Sequence, residues 1–380
     1  MKVLVLSCKT GMGHHQTGMA IIDYLHSKGV EAEMLDVFEY ITPLLSESLS
    51  KGYLLSTKLT PKAYAGVYRM LEKRNPSDEG VVQDFTSRIL SSKLMKFLTN
   101  YAPDAIISTH IYAGLLVSFL RRKKGLACPL IGIVTDYTIH PYWEDSNLDY
   151  YVTASELLNL QLIKKGIDPA KALPIGIPIN PKFAGEKVER SEARRMLELQ
   201  DKPTVLVMMG SMGYGNVIKQ LKKIDNMQLD SHSGTNSDFQ VVCVCGNNKK
   251  LFSSINKHTW RKNIIALGYV NNVELLMDAA DVLITKPGGL TTSEFLAKQV
   301  PAVLVNPIPG HEDRNAEFLC NNGLAVRATK TYPVDEALFQ LLSFDWRRDS
   351  LSNAAAKMGK PNAVQDLCDF IIDDLGEMNA

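Results

Sequence analysis

With 380 residues, 42 Lys/Arg against 41 Asp/Glu and a net charge of +1, the chain lacks the basic excess of a bulk nucleic-acid binder. Its 45% hydrophobic and 22% charged content excludes a disordered chain, and its length exceeds one ordinary core, so two domains are expected. Its longest apolar runs are strand length, short of a membrane span, and Met1-Lys2 leads into VLVLS, too short for a secretory leader.

In chain order, KVLVLS (2–7), EAEMLDV (31–37), DAIIST (104–109), LIGIVT (130–135) and YYVTAS (150–155) read as strands. Most are continuously apolar, as in a parallel sheet covered on both faces. GMAIIDYLHSKG (18–29) reads as a helix stopped by glycine. PINPKFAGEKVERSEARR, within 178–200, is rich in proline and charge and marks a seam. A second series then runs through TVLVMMG (204–210), FQVVCVCG (239–246), IIALGYV (264–270), DVLIT (281–285) and PAVLVN (301–306). DSHSGTNSD (230–238) is a polar loop inside it. Strand and helix thus alternate twice, which predicts two doubly wound α/β domains. The six cysteines read as reduced core thiols; Cys243 and Cys245 alternate on one strand face, with no partner ligands for a metal in view.

Ligands of open α/β sheets bind where strands end and helices begin, so the residues delivered there matter most. The first strand delivers KTGMGHHQTG (9–18). Gly11 and Gly13 permit a tight turn, the following helix offers free N–H groups, and His14 stands at the helix start. An imidazole there either caps the helix or takes a proton from a hydroxyl. Asp136, after the IGIVT strand, is the competing base; helix capping or a bond to His14 are its other readings. In the second series, TKPGGLTTSE (285–294) follows a strand. Gly288 and Gly289 let the backbone approach phosphates, Thr291 and Thr292 offer donors, Lys286 adds charge, and Glu294 can accept from a ribose diol. A glycine turn with a capping box from Thr291 to Glu294 is the structural alternative. The next loop, NPIPGHEDRNAEFL (306–319), gathers His311, Glu312, Asp313, Arg314 and Asn315, groups suited to sugar hydroxyls.

One stretch is unevenly charged. TPLLSESLSKGYLLSTKLTPKAYAGVYRMLEKRN (42–75) carries six Lys/Arg against two acids, interleaved with Leu and with Tyr53, Tyr64 and Tyr68. That composition suits either an interfacial helix on an anionic leaflet, with Lys51, Lys58 and Lys62 facing lipid, or a solvated amphipathic helix. RRKK (121–124) either adds to that patch or ends a helix.

ADVLITKPGGLTTSEFLAKQVPAVLVNPIPGHEDRNA (280–316) resembles the donor region of monogalactosyldiacylglycerol synthases and processive diacylglycerol glucosyltransferases, which are related to MurG. GMGH (11–14), VTDYTIHPYW (134–143), PIGIPI (174–179), GSMGYG (210–215) and GYV (268–270) extend the resemblance over most of the chain. It implies an α/β GT-B fold, two Rossmann-like doubly wound domains facing a central cleft. The expected boundaries are 1–180 for an acceptor- and membrane-facing domain, 181–360 for a UDP-sugar domain, and 361–380 for a helix packing back on the first.

The implied activity is inverting transfer of a hexose from a UDP-sugar to diacylglycerol or a glycosyl-diacylglycerol. The implied place is cytoplasmic, peripheral on the inner face of the cell membrane. The UDP-sugar is the donor substrate; no cofactor or metal is expected. By resemblance, backbone at Tyr269 and Val270 would hold uracil and Glu294 the ribose. Gly11, Gly13, Ser211, Met212, Lys286, Pro287, Gly288, Gly289, Thr291 and Thr292 would line the rest of the donor site. Glu312 and Asn315, with His311, would meet the hexose. His140 and Trp143 would shape the acceptor entrance. His311 stands where related lipid transferases often carry Gln, which leaves glucose, galactose and GlcNAc open. Another hydrophobic or polyprenyl-linked acceptor is one alternative, and a non-catalytic UDP-sugar sensor on membranes is another.

Overall fold

The computed structural model describes residues 1–8, 12–41, 88–210, 216–227 and 238–378. The expected contacts of Gly11, Ser211, Met212, Lys51, Tyr53, Lys58, Lys62, Tyr64 and Tyr68, and most of the 230–238 loop, lie outside them. The chain divides into two compact units. One comprises Met1–Pro181, Ile308–Arg314 and Lys360–Ala380, the other Lys182–Pro307 and Asn315–Gly359.

In the first unit, β1 (Lys2–Ser7), α1 (Met12–Ser27), β2 (Glu31–Asp36), α2 (Val37–Ile41), α3 (Arg88–Tyr101), β3 (Ala105–Ser108) and α4 (Ile111–Lys124) follow one another. Next come β4 (Leu130–Ile133), a 3-10 turn (Pro141–Asp145), β5 (Tyr150–Val152), α5 (Asn159–Lys164) and β6 (Ala172–Leu173). Their strands form a parallel sheet in the order β2-β1-β3-β4-β5-β6. β1, β3 and β4 are buried almost throughout, so helices cover both faces of these central strands.

The second unit runs α6 (Arg190–Met196), β7 (Thr204–Met208), α7 (Val217–Asp225), β8 (Gln240–Val244), α8 (Lys249–Lys257), β9 (Asn263–Leu267) and α9 (Val273–Ala279). It continues with β10 (Val282–Thr285), α10 (Gly289–Ala297), β11 (Ala302–Leu304), α11 (His311–Asn321, whose residues up to Arg314 belong to the first unit), β12 (Val326–Arg327), α12 (Val334–Ser343) and α13 (Asp345–Met358). Its parallel sheet has the order β12-β11-β10-β7-β8-β9. The last helix, α14 (Ala363–Met378), belongs to the first unit. Its Val364, Leu367, Cys368, Ile371 and Leu375 join Ile21 and Leu25 of α1 in one core.

The sequence-predicted strands all form, trimmed by up to three residues at an end, and β9 starts one residue earlier than expected. β6 and β12, two residues each at sheet edges, are additional. The helix expected from residue 18 begins at Met12, which puts His14 in its first turn. Arg121 of RRKK belongs to its helix end. It makes a paired contact with Asp149 at 2.8 and 2.7 Å and donates to the Cys128 carbonyl, before Gly125 closes α4 in the left-handed conformation.

Trp143 requires a correction. It is 3% exposed and packs inside the first unit, edge-on to Tyr151, so it is a core residue and not part of an acceptor entrance. Gly132 of β4 makes room for it: a β-carbon there would sit 2.6 Å from Leu148 and 2.7 Å from the indole. An HPYW turn looks the same in sequence whether its indole faces out or in. We expect Trp143→Ala to cost about 3–5 kcal/mol and Gly132→Ala about 1–3 kcal/mol in urea unfolding. A neutral Trp143→Ala would return the indole to the surface.

Candidate active site

Each sheet has one point where the strand order reverses, and there the loops after two neighbouring strands diverge to leave room for a ligand. In the first unit this lies between β1 and β3. β1 leads to α1 and His14, and β3 leads to Thr109 and His110 at the start of α4.

His14 Nδ1 lies 2.7 Å from the Thr109 carbonyl and 3.1 Å from the Thr135 hydroxyl. A carbonyl only accepts, so Nδ1 carries the hydrogen and the neutral ring keeps its lone pair on Nε2. Burial lowers the His14 pKa. The Thr109 carbonyl and the Asp136 carboxylate oppose that, and His311 adds to it. The ring is therefore neutral near pH 7, with a basic nitrogen to offer.

Its neighbour His110 stands edge-on at 4.6 Å between ring centroids. His110 caps α4: its Nδ1 accepts the Tyr112 N–H at 3.2 Å, so Nε2 bears the hydrogen. Burial, then His14 and His140, hold its pKa well below the ordinary imidazole value. His140 repeats the device at Pro141–Asp145, accepting from Tyr142 N–H at 3.3 Å. Its pKa falls to about 3, through burial, then His311 and Lys165. The site thus pairs one neutral imidazole that accepts at Nε2 with two that donate there. Sequence reading passed over His110, Thr109 and Thr135. The signal was present, because STH after β3 repeats the strand-to-helix histidine of β1.

In the second unit the reversal lies between β7 and β10, whose ends pair at Met208 and Thr285. The loops after them start at Met209 and Lys286. Gly210 is in the left-handed region (φ 73°), and a β-carbon there would meet Lys286 Cε at 3.3 Å, so glycine suits both backbone and lysine stem. α10 starts at Gly289 with Gly288 as a cap that supplies no side-chain bond. Its first N–H groups, which have no partner within the helix, follow directly on Lys286 and Pro287. Tyr269, 60% exposed, and Val270 follow the edge strand β9.

The remaining donor-side expectations divide. Thr291 hydrogen-bonds to the Glu294 carboxyl, which lies partly buried on α10. This pair does not cap the helix, so the capping-box alternative fails. Thr292 is fully buried, and its hydroxyl cannot serve as a surface phosphate donor; this corrects its expected role. Asn315 is also fully buried and donates to the Pro287 carbonyl at 3.0 Å, so it braces the KPGG loop from α11 and is not open to a hexose. Glu312 is buried and accepts the Ile308 N–H at 2.7 Å, fastening its own loop. His311 beside it is only partly buried.

With this geometry, residues 14–179 match the family model for monogalactosyldiacylglycerol (MGDG) synthase. Residues 204–367 match that for the glycosyltransferase family 28 C-terminal domain. Between them the two matches span most of the chain. It is 28% identical over 381 residues to a processive diacylglycerol beta-glucosyltransferase of Bacillus pumilus, covering 98% of this chain and 94% of that one. The Bacillus subtilis protein of the same name is 28% identical over 351 residues, covering 90% and 87%. Among solved structures, Acinetobacter baumannii MurG superimposes with a TM-score of 0.58 at 18% identity, covering 97% of this chain and 99% of that one. Staphylococcus aureus MnaA with UDP gives 0.62 at 14%, covering 100% and 98%. At these identities the likeness is one of fold, the GT-B α/β fold.

Burial, reinforced by Glu274 and opposed by Thr291, pushes the Glu294 pKa up to about 8 in this glycosyltransferase. An unfolded carboxyl titrates near 4.3. Below about pH 4 both states are protonated and Glu294 costs nothing. As pH rises through 4.3 the unfolded state ionises first, so stability is lost, until the folded carboxyl also ionises near pH 8. We expect Glu294→Gln to raise unfolding stability by on the order of 3 kcal/mol at pH 7 and by nothing near pH 4. Denaturant melts across that range check it; a shift independent of pH would contradict the buried carboxyl.

Proposed function

We propose that the protein moves a hexose, with inversion, from a UDP-sugar to diacylglycerol or a glycosyl-diacylglycerol at an anionic membrane surface. The observation that carries this reading is His14: a neutral imidazole with its lone pair on Nε2, at the ligand edge of a unit matched by the MGDG synthase model. Glucose is the hexose in the relatives' names and so the first to try.

In this reading Nε2 of His14 takes the proton of the acceptor hydroxyl as its oxygen attacks the anomeric carbon. UDP leaves from the opposite face. The second unit holds the donor, with the uracil at the Tyr269–Val270 backbone, the ribose on Glu294, and the diphosphate at the start of α10 beside Lys286. Charge developing on the departing diphosphate is met by N–H dipoles and a lysine already in place, the kind of preorganisation that lowers such barriers most. His110 and His140, neutral N–H donors, orient the acceptor without competing for its proton. No cofactor enters this scheme.

The membrane part is supported by α5. Among the described residues no helix is long and apolar enough to cross a membrane. Leu157, Leu160 and Ile163 are nevertheless 50%, 60% and 53% exposed, three residues apart along one short face beside exposed Lys164. Beneath that face, Gln161 accepts from the Thr138 hydroxyl at 3.2 Å and Ile139 N–H at 3.1 Å, in the segment between Asp136 and His140. An apolar face with an exposed lysine at one end suits a lipid surface. Leu160→Asp with Ile163→Asp should release the protein from anionic liposomes in sedimentation while leaving UDP binding intact. Equal sedimentation of variant and wild type would remove α5 from the membrane surface.

The activity test is incubation with UDP-glucose, UDP-galactose and UDP-GlcNAc, with and without mixed lipids, followed by product analysis. A glycosyl-diacylglycerol supports the proposal; a glycosylated polyprenyl lipid replaces the acceptor; UDP-sugar binding without turnover makes the protein a sensor. His14→Ala should lower kcat by about 10²–10⁴-fold and barely change UDP affinity. Asp136→Asn should do less. If Asp136→Asn proves the deeper lesion while His14→Ala mainly raises the acceptor KM, Asp136 is the base.

A further inference from the structure

Thr135 lies two residues beyond β4, partly buried, and directly precedes Asp136. Its hydroxyl is 3.1 Å from His14 Nδ1, the nitrogen that also lies 2.7 Å from the Thr109 carbonyl. Because the carbonyl must accept, the single hydrogen on Nδ1 is already committed to acceptors, and the Thr135 oxygen is the second of them. The carbonyl itself is fixed, since the Thr109 N–H donates to Leu6 O at 3.0 Å and locks the end of β3 to β1.

We infer that Thr135 is a positioning residue for His14: with the Thr109 carbonyl it fixes the imidazole as its Nδ1–H tautomer and leaves Nε2 as the basic nitrogen. The inference rests on His14 as the base for its consequence in turnover, but the tautomer is a property of the resting protein. When Nε2 takes a proton, its lone pair forms the new N–H bond and the broken O–H pair stays on the acceptor oxygen. The ring becomes an imidazolium whose positive Nδ1–H already faces two oxygens. Both bonds strengthen on charging, so the ring need not turn or recruit water as the proton arrives.

The groups around the ring divide by sign. Asp136, from the loop after β4, favours the imidazolium. His311, from the first turn of α11, disfavours a charge on the ring, and His14 in turn helps to hold His110, at the start of α4, neutral. Thr135 is the uncharged member of the set: it favours the charged ring through one hydrogen bond and adds no net charge that would hold the ring protonated at neutral pH. A carboxylate at that place would do both.

The test uses the full chain, uniformly labelled with 15N, and long-range 1H–15N correlation of the His14 ring, identified by its loss in His14→Gln. In the wild type at pH 7.5 (a working value about one unit above an ordinary imidazole) Nδ1 should be protonated and Nε2 bare. Thr135→Val should lower the pH at which His14 titrates, move the acid limb of kcat the same way, and cut kcat about 10-fold, the scale of one hydrogen bond to a charged group. KM for the UDP-sugar should not change, and Thr135→Ser should restore all three. A wild-type Nε2–H tautomer, or Thr135→Val with unaltered titration and kcat, overturns the inference. If Thr135→Val does not fold, Thr135→Ala takes its place. Full activity in His14→Ala would sink the base assignment alone; an Nδ1–H tautomer with a Thr135-dependent titration would still uphold the positioning role.

Discussion

Parallel pairing of strands that are apolar on both faces is the constraint from which the rest of the molecule follows. A strand such as β1, with Val3 to Leu6 fully buried, cannot show either face to water, so helices must cover both. Each crossover then returns the chain to the same edge, and every strand's carboxyl end opens onto a helix start at that edge. Polar and ionisable residues placed at that edge can face a ligand without being sealed in the core. His14, His110 and Asp136 in one unit, and Lys286 and Glu294 in the other, follow strands for this reason.

That logic also decides what could be read from the sequence. The continuous apolar runs announced the central strands nearly to the residue, because two-sided burial leaves no polar interruptions. β6 and β12 escaped, since a two-residue edge strand has no period to recognise. Loop residues were legible as a set but not one by one. Thr291 and Thr292 are adjacent and chemically alike, yet on a helix they point about 100° apart, so one bonds to Glu294 and the other is buried. Asn315 and Glu312 carry the polar groups expected at a sugar site, but both turn inward to hold backbone. Composition names the chemistry available at a loop; only packing says which groups face outward and which support them.

Burial tunes the two titratable sets in the same direction, toward neutrality, with different results. Histidines lose their charge when desolvated, so His14, His110 and His140 stay uncharged where acceptor chemistry is proposed. Glu294 loses its charge by the same physics and becomes a carboxyl that can donate as well as accept. Neither set adds net charge in the unliganded protein. In the proposed donor site, a nucleotide diphosphate beside Lys286 and the α10 N–H groups would not be repelled by Glu294.

A base needs a partner that holds its ring without fixing its charge, and the first unit resolves that requirement by choice of atom. Had Asp136 bonded to Nδ1 directly, a full negative charge at contact distance would lift the imidazole pKa and keep the ring protonated when it should accept. A carbonyl and a hydroxyl orient the ring equally well through partial charges alone, and burial then carries the pKa below its ordinary value. Asp136 still acts on the ring through its field, which in the proposed reaction matters most once the ring is protonated. Orientation thus comes from neutral atoms in contact and charge stabilisation from a carboxylate nearby, the combination that the proposed base needs to be neutral at rest and cationic only during transfer.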